Sequence, residues 1–286
     1  MNMADNKVGV VYLSWLPYGT SHLNAFIESY RLFNAGYAHD LIILFNGTSL
    51  VTTQIEEDFI SVLKRHSIRF SSLRFESGQD VWIYKQAARQ LNYDYLLFLN
   101  TYSVLQANNW LKLYVDHYTE GVGLIGATAS WSSYKTAISR EVFRNLKQPV
   151  GFKVKFQKLK YLIKLHLLYG SKFSGFPNPH IRTTGFFIRT ELFNALELGP
   201  VKDKHQAYFF ENGINSMTRQ IKLKGFQCYV MDKFGGMWEE YEWYKSATFW
   251  ISDQENLLIS DNQTRKYQEA SDTVKHQLTY DAWGKL

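Results

Sequence analysis

The sequence predicts an α/β fold, with a mostly parallel sheet flanked by helices and an irregular, aromatic-rich C-terminal part. Short apolar runs at residues 8–13, 41–45 and 96–99 have the length of strands. Their unbroken apolar character indicates burial on both faces of a sheet. Segments with helical spacing lie between these runs up to about residue 130, as in βαβ units. The chain turns polar directly after residue 99, and open α/β sheets bind ligands at such strand ends.

The first half of the chain contains most of the predicted sheet. Its predicted strands are residues 8–13, 41–45, 69–75, 95–99 and 122–127. Helix caps are predicted at Thr20 or Ser21, at Asp80, and at Asn108 or Asn109. A further helix is predicted around residues 55–63, where apolar residues recur at helical spacing.

After residue 131 the pattern is less regular. We predict a helix over residues 133–146 and strands over 185–188 and 226–231. Thr190 is expected to cap a helix that ends at Gly199. A second helix is expected to open at residues 209–213 and to carry Met217 and Ile221. The whole chain, residues 1–286, is predicted to form a single domain.

The composition limits the kinds of protein that this chain can be. Of 286 residues, 45% are hydrophobic and 16% aromatic, enough for a sizeable core. The net charge is 32 − 26 = +6, a mild bias towards anionic partners and not the signature of a nucleic-acid-binding protein. A single cysteine, Cys228, excludes a disulfide within the chain and fits a reducing compartment. Because the sequence shows no signal-peptide layout and no segment long enough to span a bilayer, we predict a cytoplasmic protein.

Several catalytic motifs are absent. No Gly-x-Gly-x-x-Gly or Walker A sequence occurs, which disfavours dehydrogenases and NTPases. No His/Cys cluster has the spacing of a zinc site. Three residues remain as catalytic candidates. Glu211 is either a general base or a helix-start glutamate favoured by the dipole. His180 and Arg182 are either phosphate ligands or, respectively, a structural imidazole and an ion-pair partner.

A resemblance to a known family rests on the order of several short motifs. These are Asn46-Gly47-Thr48-Ser49, Gly78-Gln79-Asp80, Phe98-Leu99-Asn100-Thr101-Tyr102, Asn178-Pro179-His180-Ile181-Arg182 and Phe210-Glu211-Asn212-Gly213. In this order the chain resembles the GT-A glycosyltransferases, in particular the family-2-like enzymes of bacterial surface polysaccharide biosynthesis. The family's metal-binding Asp-x-Asp reads Asn100-Thr101-Tyr102 here. Two neutral side chains do not offset a divalent cation as carboxylates do, so no metal ligand is predicted and a metal cofactor is doubtful.

The resemblance implies a GT-A-like fold and a set of site residues. It divides the chain into a nucleotide-binding half (residues 1–130), an acceptor-side half (131–240) and a C-terminal extension (241–286). Glu211 is implied as the general base, with His180 and Arg182 at the departing phosphate. The residues implied to bind the nucleotide sugar are Ser14, Trp15, Asn46, Gly47, Asp80, Lys85, Asn100, Thr101 and Tyr102.

The implied function is a hexosyltransferase-type reaction. A sugar would move from a nucleotide-sugar donor to a glycan or lipid-linked acceptor during cell-surface polysaccharide assembly. Two alternatives stay open. One is a non-catalytic GT-A-like module that binds nucleotide or sugar after loss of the metal motif. The other is a Rossmann-type methyltransferase, which would bind S-adenosylmethionine instead of a nucleotide diphosphate.

Residues 153–169 form a basic and apolar segment. Lys153, Gln157, Lys160 and Lys164 fall on one helical stripe, and Phe156, Leu159, Ile163 and Leu167 fall on the next. This arrangement is typical of a helix lying on an anionic membrane and equally of an ordinary surface helix with solvated lysines. The first interpretation would place the protein at the inner face of the membrane.

Overall fold

The computed structural model describes residues 6–147, 151–201 and 203–285. The strands are β1 (Val8–Trp15), β2 (Asp40–Asn46), β3 (Ser71–Phe75), β4 (Tyr95–Leu99), β5 (Val104–Leu105), β6 (Val122–Gly126), β7 (Ala129–Ser130), β8 (His180–Ile181), β9 (Gly185–Arg189), β10 (Gln227–Met231), β11 (Met237–Trp238) and β12 (Ile259–Ser260). The helices are α1 (Ser21–Leu32), α2 (Thr53–Arg65), α3 (Asp80–Gln90), α4 (Trp110–His117), α5 (Tyr134–Lys147), α6 (Phe152–Tyr169), α7 (Thr190–Asn194), α8 (Lys204–Asn212), α9 (Met217–Leu223), α10 (Asn262–Gln268) and α11 (Asp272–Trp283).

The main sheet has the order β11-β10-β6-β9-β4-β1-β2-β3 within the described ranges. β1 lies beside β2 and β4 and is parallel to both, and β2–β3 and β6–β10 are also parallel pairs. β9 runs antiparallel between β4 and β6, and β11 is an antiparallel edge strand. The predicted α/β fold with a mostly parallel, helix-flanked sheet is therefore confirmed.

Both faces of the sheet are buried, as the apolar runs predict. In β4, Leu97 and Leu99 pack into the core on one face with Trp110 of α4. Leu96 and Phe98 pack into the core on the other face with residues of α3, α7 and α9. Alternating side chains of one strand thus enter two separate cores, which is why the strand has no polar face.

Two small sheets fix the C-terminal segment against the main sheet. β5 pairs with β12, which brings the residues after Ser260 next to the loop that follows β4. β7 pairs with β8 and positions the chain around residue 182. In the ranges given above, no helix combines the length and apolar character needed to cross a bilayer.

Several predicted helix boundaries need correction. Asp80 is the first residue of α3, and extended Gln79 is its N-cap. Arg189, not Thr190, precedes α7, and this helix ends at Asn194 rather than at Gly199. The helix predicted to open at residue 209 is two helices, because α8 ends at Asn212 and α9 begins after Ser216.

The split between α8 and α9 has a local cause. Gly213 turns the chain out of α8, and a Cβ there would lie 2.5 Å from the carbonyl oxygen of Phe209. Ser216 then caps α9, since its side chain accepts a hydrogen bond from the Arg219 amide at 3.4 Å. A glycine followed by a serine cap ends one helix and starts the next.

Candidate active site

A cleft opens at the carboxyl ends of β1, β2 and β4. These strands are parallel and adjacent, so their ends meet at one edge of the sheet. The cavity has a volume of about 260 Å³. It is lined by Leu13, Trp15, Tyr18, Asn46, Gly78, Gln79, Asp80, Val81, Asn100, Thr101, Tyr102, Thr183, Lys204, Ala207, Tyr208 and Glu211. The structure thus brings six of the nine predicted donor-binding residues and the predicted base to one place.

The loop Asn100-Thr101-Tyr102 forms the floor of the cleft and is held by hydrogen bonds. The Oδ1 atom of Asn100 accepts from the Tyr102 amide at 2.9 Å and from the Ser103 hydroxyl at 3.1 Å. Oγ1 of Thr101 accepts from the Trp15 amide at 3.2 Å, which ties the loop to β1. Because the Asn100 oxygen is already used within its own turn, it is a poor ligand for a cation.

The described residues do not fit the divalent-metal site typical of GT-A enzymes. No group of three or more His, Cys, Asp or Glu side chains in these ranges is arranged to hold a metal. Tyr102, at the position of the second carboxylate of the motif, packs in an aromatic cluster. Burial and a hydrogen bond with Tyr18 raise the pKa of its phenol to about 12, so it stays neutral. A hard cation requires oxygen ligands with negative charge, which this loop does not supply.

One wall of the cleft is aromatic. The Tyr102 ring lies 5.8 Å from Tyr18 and 4.7 Å from His22, and Trp15 lies 6.5 Å from Tyr18. Arg265 of α10 donates to the Tyr102 carbonyl oxygen at 3.1 and 3.2 Å and closes this side. Such a wall suits stacking against a flat ring.

Asn46, at the end of β2, carries a polar atom without a partner. Its Nδ2 donates to the carbonyl oxygen of Gly78 at 2.9 Å. Its buried Oδ1 has no hydrogen-bond partner among the residues that the structure describes. A buried acceptor of this kind costs free energy unless a ligand or water satisfies it. Asn46 is therefore placed to accept a hydrogen bond from a molecule in the cleft.

Asp80 is a half-buried carboxyl at the first position of α3. The pKa of Asp80 is raised to about 6, chiefly by burial and in addition by the neighbouring Glu211 charge. The Val81 amide, which donates to Oδ1 at 2.8 Å, and the Lys204 ammonium lower it. Asp80, Glu211 and Lys204 thus form one electrostatically linked group.

One face of α8 forms the opposite wall. Lys204, Ala207, Tyr208 and Glu211 lie at positions i, i+3, i+4 and i+7, so they share one side of the helix. The exposed ammonium of Lys204 lies at the rim, 5.8 Å from the centre of the Tyr208 ring. Asp203 is the N-cap of α8, where its side chain accepts from the Gln206 amide at 2.9 Å.

Glu211 lies in the last turn of α8, so the prediction of a helix-start glutamate is wrong. Its Oε2 accepts a hydrogen bond from the Thr183 amide at 3.2 Å and another from the Thr183 hydroxyl. Its Oε1 accepts no hydrogen bond from any described residue. The carboxylate is therefore held in one orientation with one oxygen available to the cleft.

His180 and Arg182 lie close to this carboxylate but do not line the cleft, in contrast to their predicted role at the phosphate. The Arg182 guanidinium is buried, pairs with Asp261 at 3.2 Å and stacks 4.1 Å from the centre of the Phe249 ring. His180 is buried, and its Nδ1 lies 2.8 Å from the Asn178 carbonyl oxygen. Burial lowers the pKa of His180, which keeps the imidazole neutral. A cation already neutralised by a buried carboxylate is a weak phosphate ligand.

Three predicted donor-binding residues also lie outside the lining. Lys85 is buried on α3, and its ammonium donates to the carbonyl oxygens of Phe193 and, at 2.7 Å, of Leu196. Burial, reinforced by Arg89, lowers its pKa to about 8. Ser14 is buried within β1. Gly47 is a turn residue with φ +85°, and its amide donates to the Phe75 carbonyl oxygen at 3.2 Å.

Several residues of the cleft are not among the site residues predicted from the sequence, namely Tyr18, Gln79, Thr183, Lys204 and Tyr208. For the α8 residues a signal was available, since Lys204 and Tyr208 precede Glu211 at helical spacing. Thr183 and Tyr18 carry no such signal, because their positions depend on contacts between distant segments.

A second cavity of about 300 Å³ adjoins the cleft, and Tyr208 lines both. Aromatic side chains dominate its walls: Tyr134, Phe176, Tyr208 and Trp250. Asn212, from the end of α8, also lines it, and its buried Oδ1 has no hydrogen-bond partner in the described ranges. Aromatic faces beside an unpaired amide oxygen suit the apolar face and the hydroxyls of a sugar ring.

The sequence matches no protein-family model, and comparison with curated proteins finds no match. Several solved structures are similar at low identity. A mannosyltransferase from Pyrobaculum calidifontis, in complex with GDP-Man and Mn²⁺, has 10% identity and a TM-score of 0.46, covering 96% of this chain and 69% of that one. Glucosyl-3-phosphoglycerate synthase from Mycobacterium tuberculosis has 15% identity and a TM-score of 0.43 over 79% and 69%. Mouse xyloside xylosyltransferase 1 has 9% identity and a TM-score of 0.39 over 66% and 69%.

Proposed function

We propose that this chain is a GT-A-like glycosyltransferase that transfers a sugar from a nucleotide-sugar donor to a glycan or lipid-linked acceptor. One observation carries the proposal. Glu211 is a carboxylate oriented by Thr183, and it faces an aromatic, polar cleft at the carboxyl ends of parallel strands. A positioned carboxylate in such a cleft is the arrangement that general-base catalysis requires.

The donor nucleotide is assigned to the side of the cleft formed by β1, β2 and α3. Trp15 and Tyr102 offer ring faces for the base, and the unpaired Oδ1 of Asn46 offers an acceptor for one of its N–H groups. The Asp80 carboxyl is placed to accept hydrogen bonds from ribose hydroxyls. Each of these contacts uses a group that the free protein leaves unsatisfied or exposed to the cleft.

The diphosphate is assigned to Lys204. Its exposed ammonium lies at the cleft rim on the same helix face as Glu211. The two positions that carry metal-binding carboxylates in GT-A enzymes are Asn100 and Tyr102 here. A flexible ammonium can neutralise phosphate charge as it develops on the leaving group, without a metal. We therefore propose that donor binding does not require a divalent ion.

In the proposed reaction the acceptor hydroxyl oxygen bonds to the anomeric carbon of the donor sugar. The bond from that carbon to the diphosphate oxygen breaks at the same time, and its electron pair leaves with the nucleoside diphosphate. The hydroxyl proton moves to Oε1 of Glu211, while Thr183 holds Oε2. Lys204 stabilises the negative charge on the departing diphosphate.

The acceptor is assigned to the second cavity. It meets the donor cleft at Tyr208, and its aromatic walls and the Asn212 Oδ1 suit a sugar ring. We propose a role in cell-surface polysaccharide assembly, at the cytoplasmic face of the membrane. In the same proposal residues 1–130 form the donor half, residues 131–240 the acceptor side and residues 241–286 an extension of one domain.

One observation favours a second candidate function. Asn100 and Tyr102 replace the acidic residues of the metal motif, so the chain could bind a nucleotide sugar without turning it over. Donor turnover separates the two functions. Wild-type protein and Glu211→Gln are incubated with UDP-glucose, GDP-mannose and other nucleotide sugars, with and without an oligosaccharide panel. Release of nucleoside diphosphate by the wild type alone supports the transferase. Binding without release by either protein supports the binding module.

A further inference from the structure

The helix α6 exposes a stripe of large apolar side chains. Phe152, Phe156, Ile163 and Leu167 recur at helical spacing along one side of the helix. Phe152 is 82% exposed, Phe156 57% and Leu167 76%. Another side of α6 packs against α5 through Leu162 and Leu165, which cluster with Ile138, and Val154, Tyr161 and Leu168 are exposed on a further side. Among the described side chains, the exposed stripe therefore lies outside the cluster that holds α5 and α6 together.

A row of positive charge borders this stripe. Lys153, Lys160 and Lys164 are exposed and follow one line along the helix, beside the apolar stripe. Lys158 is different, because it pairs with Glu141 of α5 at 2.6 Å. The sequence of α6 contains no acidic residue. Apolar and cationic rows side by side on a surface helix are typical of helices that lie in a membrane interface.

We propose that this face of α6 docks on the surface of an anionic lipid bilayer, a property that goes beyond the proposed sugar transfer. The apolar stripe enters the boundary between headgroups and acyl chains, and the lysines reach the phosphates. Charge and shape both favour this occupant. The cavity between α5 and α6 is lined by Leu162 and Leu165 and by none of the stripe residues, so the docking face is separate from that groove.

A second copy of the chain fits this face less well. A symmetric dimer with antiparallel α6 helices would bring the two lysine rows to the same side of the contact, where like charges oppose each other. A fluid bilayer accepts a convex helix without a complementary groove. Anionic lipid also supplies the negative charge that Lys153, Lys160 and Lys164 lack within their own helix.

The position of the hairpin links membrane docking to the site. Tyr134, the first residue of α5, contacts Tyr208 with ring centres 5.9 Å apart, and Tyr208 lines the donor cleft. The docking face and the cleft therefore belong to neighbouring elements. A protein held on the bilayer by α6 would keep its second cavity close to headgroups from which a lipid-linked acceptor extends.

Vesicle flotation with the full-length protein tests the proposal. The vesicles are phosphatidylcholine with 30% phosphatidylglycerol, and pure phosphatidylcholine, at two salt concentrations. Wild type should float with anionic vesicles and less so at high salt. Lys153→Gln/Lys160→Gln/Lys164→Gln should reduce the vesicle partition coefficient on the order of 100-fold, about 5-fold per lysine. Phe152→Ser/Phe156→Ser/Leu167→Ser should abolish binding at either salt concentration.

Two matched controls use exposed residues elsewhere. Lys64→Gln/Lys224→Gln/Lys266→Gln removes the same charge, and Leu32→Ser/Leu223→Ser/Phe234→Ser removes equally exposed apolar groups. Both should bind like wild type, and all variants should keep the wild-type melting temperature. The proposal is overturned if wild type does not float with anionic vesicles or if the controls lose as much binding. It is also overturned if sedimentation shows a dimer that the α6 apolar variant dissolves. None of these outcomes depends on whether the protein binds a nucleotide. The docking proposal can therefore fail while the proposed function holds, and the reverse is also true.

Discussion

Thr183 donates two hydrogen bonds to a single oxygen of Glu211, one from its backbone amide at 3.2 Å and one from its hydroxyl. Thr183 is buried, and it follows Arg182, which is itself fixed by Asp261 and Phe249. The carboxylate is consequently oriented by a rigid segment from the other side of the cleft. The buried Arg182–Asp261 pair supports the base in the proposed mechanism and does not contact the substrate.

The first prediction concerns the basicity of Glu211. Glu211→Gln keeps the shape and removes the proton acceptor, so turnover should fall on the order of 10²- to 10⁴-fold. Donor affinity, measured by titration calorimetry, should stay within about 2-fold, because the base faces the acceptor. Asp203→Asn is the matched control, since it removes a carboxylate from the start of the same helix but keeps an N-capping side chain. Wild-type turnover in Glu211→Gln would exclude Glu211 as the base.

The second prediction concerns Lys204 as the phosphate ligand. Lys204→Gln should weaken nucleoside diphosphate binding about 10-fold, or about 1.4 kcal/mol, because a charge-assisted hydrogen bond is lost. The affinity of wild type should also fall with rising salt more steeply than that of the variant. Lys224→Gln, at an exposed position outside the cleft lining, serves as the control. Equal affinities for Lys204→Gln and wild type would show that the Lys204 ammonium does not bind the diphosphate.

The third prediction concerns pH and Asp80. Its pKa in the folded protein is raised to about 6, above the ordinary aspartate value of 3.8. Between these values the folded state binds more protons than the unfolded state, so the stability from this group decreases as pH rises through about 6. Asp80→Asn should therefore be more stable than wild type at pH 7.5, by about 1–2 kcal/mol after allowance for its partial exposure. The difference should shrink towards pH 4.

Thermal melts of both proteins between pH 4 and 7.5 measure this effect. A stability difference that does not change over this range would show that Asp80 has an ordinary pKa. Asp80→Asn should at the same time weaken nucleotide binding, since the proposed ribose contact uses the carboxylate.

The fourth prediction is that Lys85 stabilises the fold and does not bind the donor. Its ammonium satisfies the carbonyl oxygens of Phe193 and Leu196, which join α3 to the end of α7. Lys85→Met leaves the Leu196 oxygen without this donor, while the Phe193 oxygen keeps the Leu196 amide at 3.2 Å. The free energy of unfolding should therefore fall by about 1–3 kcal/mol. Nucleoside diphosphate affinity should not change. If Lys85→Met has wild-type stability but a reduced affinity for nucleoside diphosphate, Lys85 binds the donor and the prediction is wrong.

The predictable part of the fold is the part encoded by local patterns. Apolar runs longer than a few residues specified the strands around Val10, Ile43 and Leu97, because burial on both faces leaves no polar position in the strand. Helix ends were less predictable. Asp80 and Thr190 are good caps by residue type, yet Gln79 and Arg189 occupy the cap positions, because sheet contacts decide where each strand ends.

The site residues also divide into those that local sequence patterns predict and those that depend on contacts between distant segments. The ends of parallel strands predict a shared cleft, so Trp15, Asn46 and Asn100 could be grouped from the sequence. Arg182 and Lys85 have the residue types of phosphate ligands, but their partners come from segments 79 and 108 residues away in the chain. Only the folded structure reveals that these two cations are already neutralised or hydrogen-bonded elsewhere.

If the cleft binds a nucleotide sugar without a metal, the wild type should bind a nucleoside diphosphate in EDTA, and titration calorimetry measures this binding. UDP, GDP, ADP, dTDP and S-adenosylmethionine are titrated separately in EDTA and again with Mn²⁺. We expect at least one nucleoside diphosphate to bind in EDTA with an affinity that Mn²⁺ changes by less than about 3-fold, and we expect Asp80→Asn and Lys204→Gln to weaken it. S-adenosylmethionine should not bind. Binding of S-adenosylmethionine alone, or binding of a diphosphate only when Mn²⁺ is present, would contradict the account.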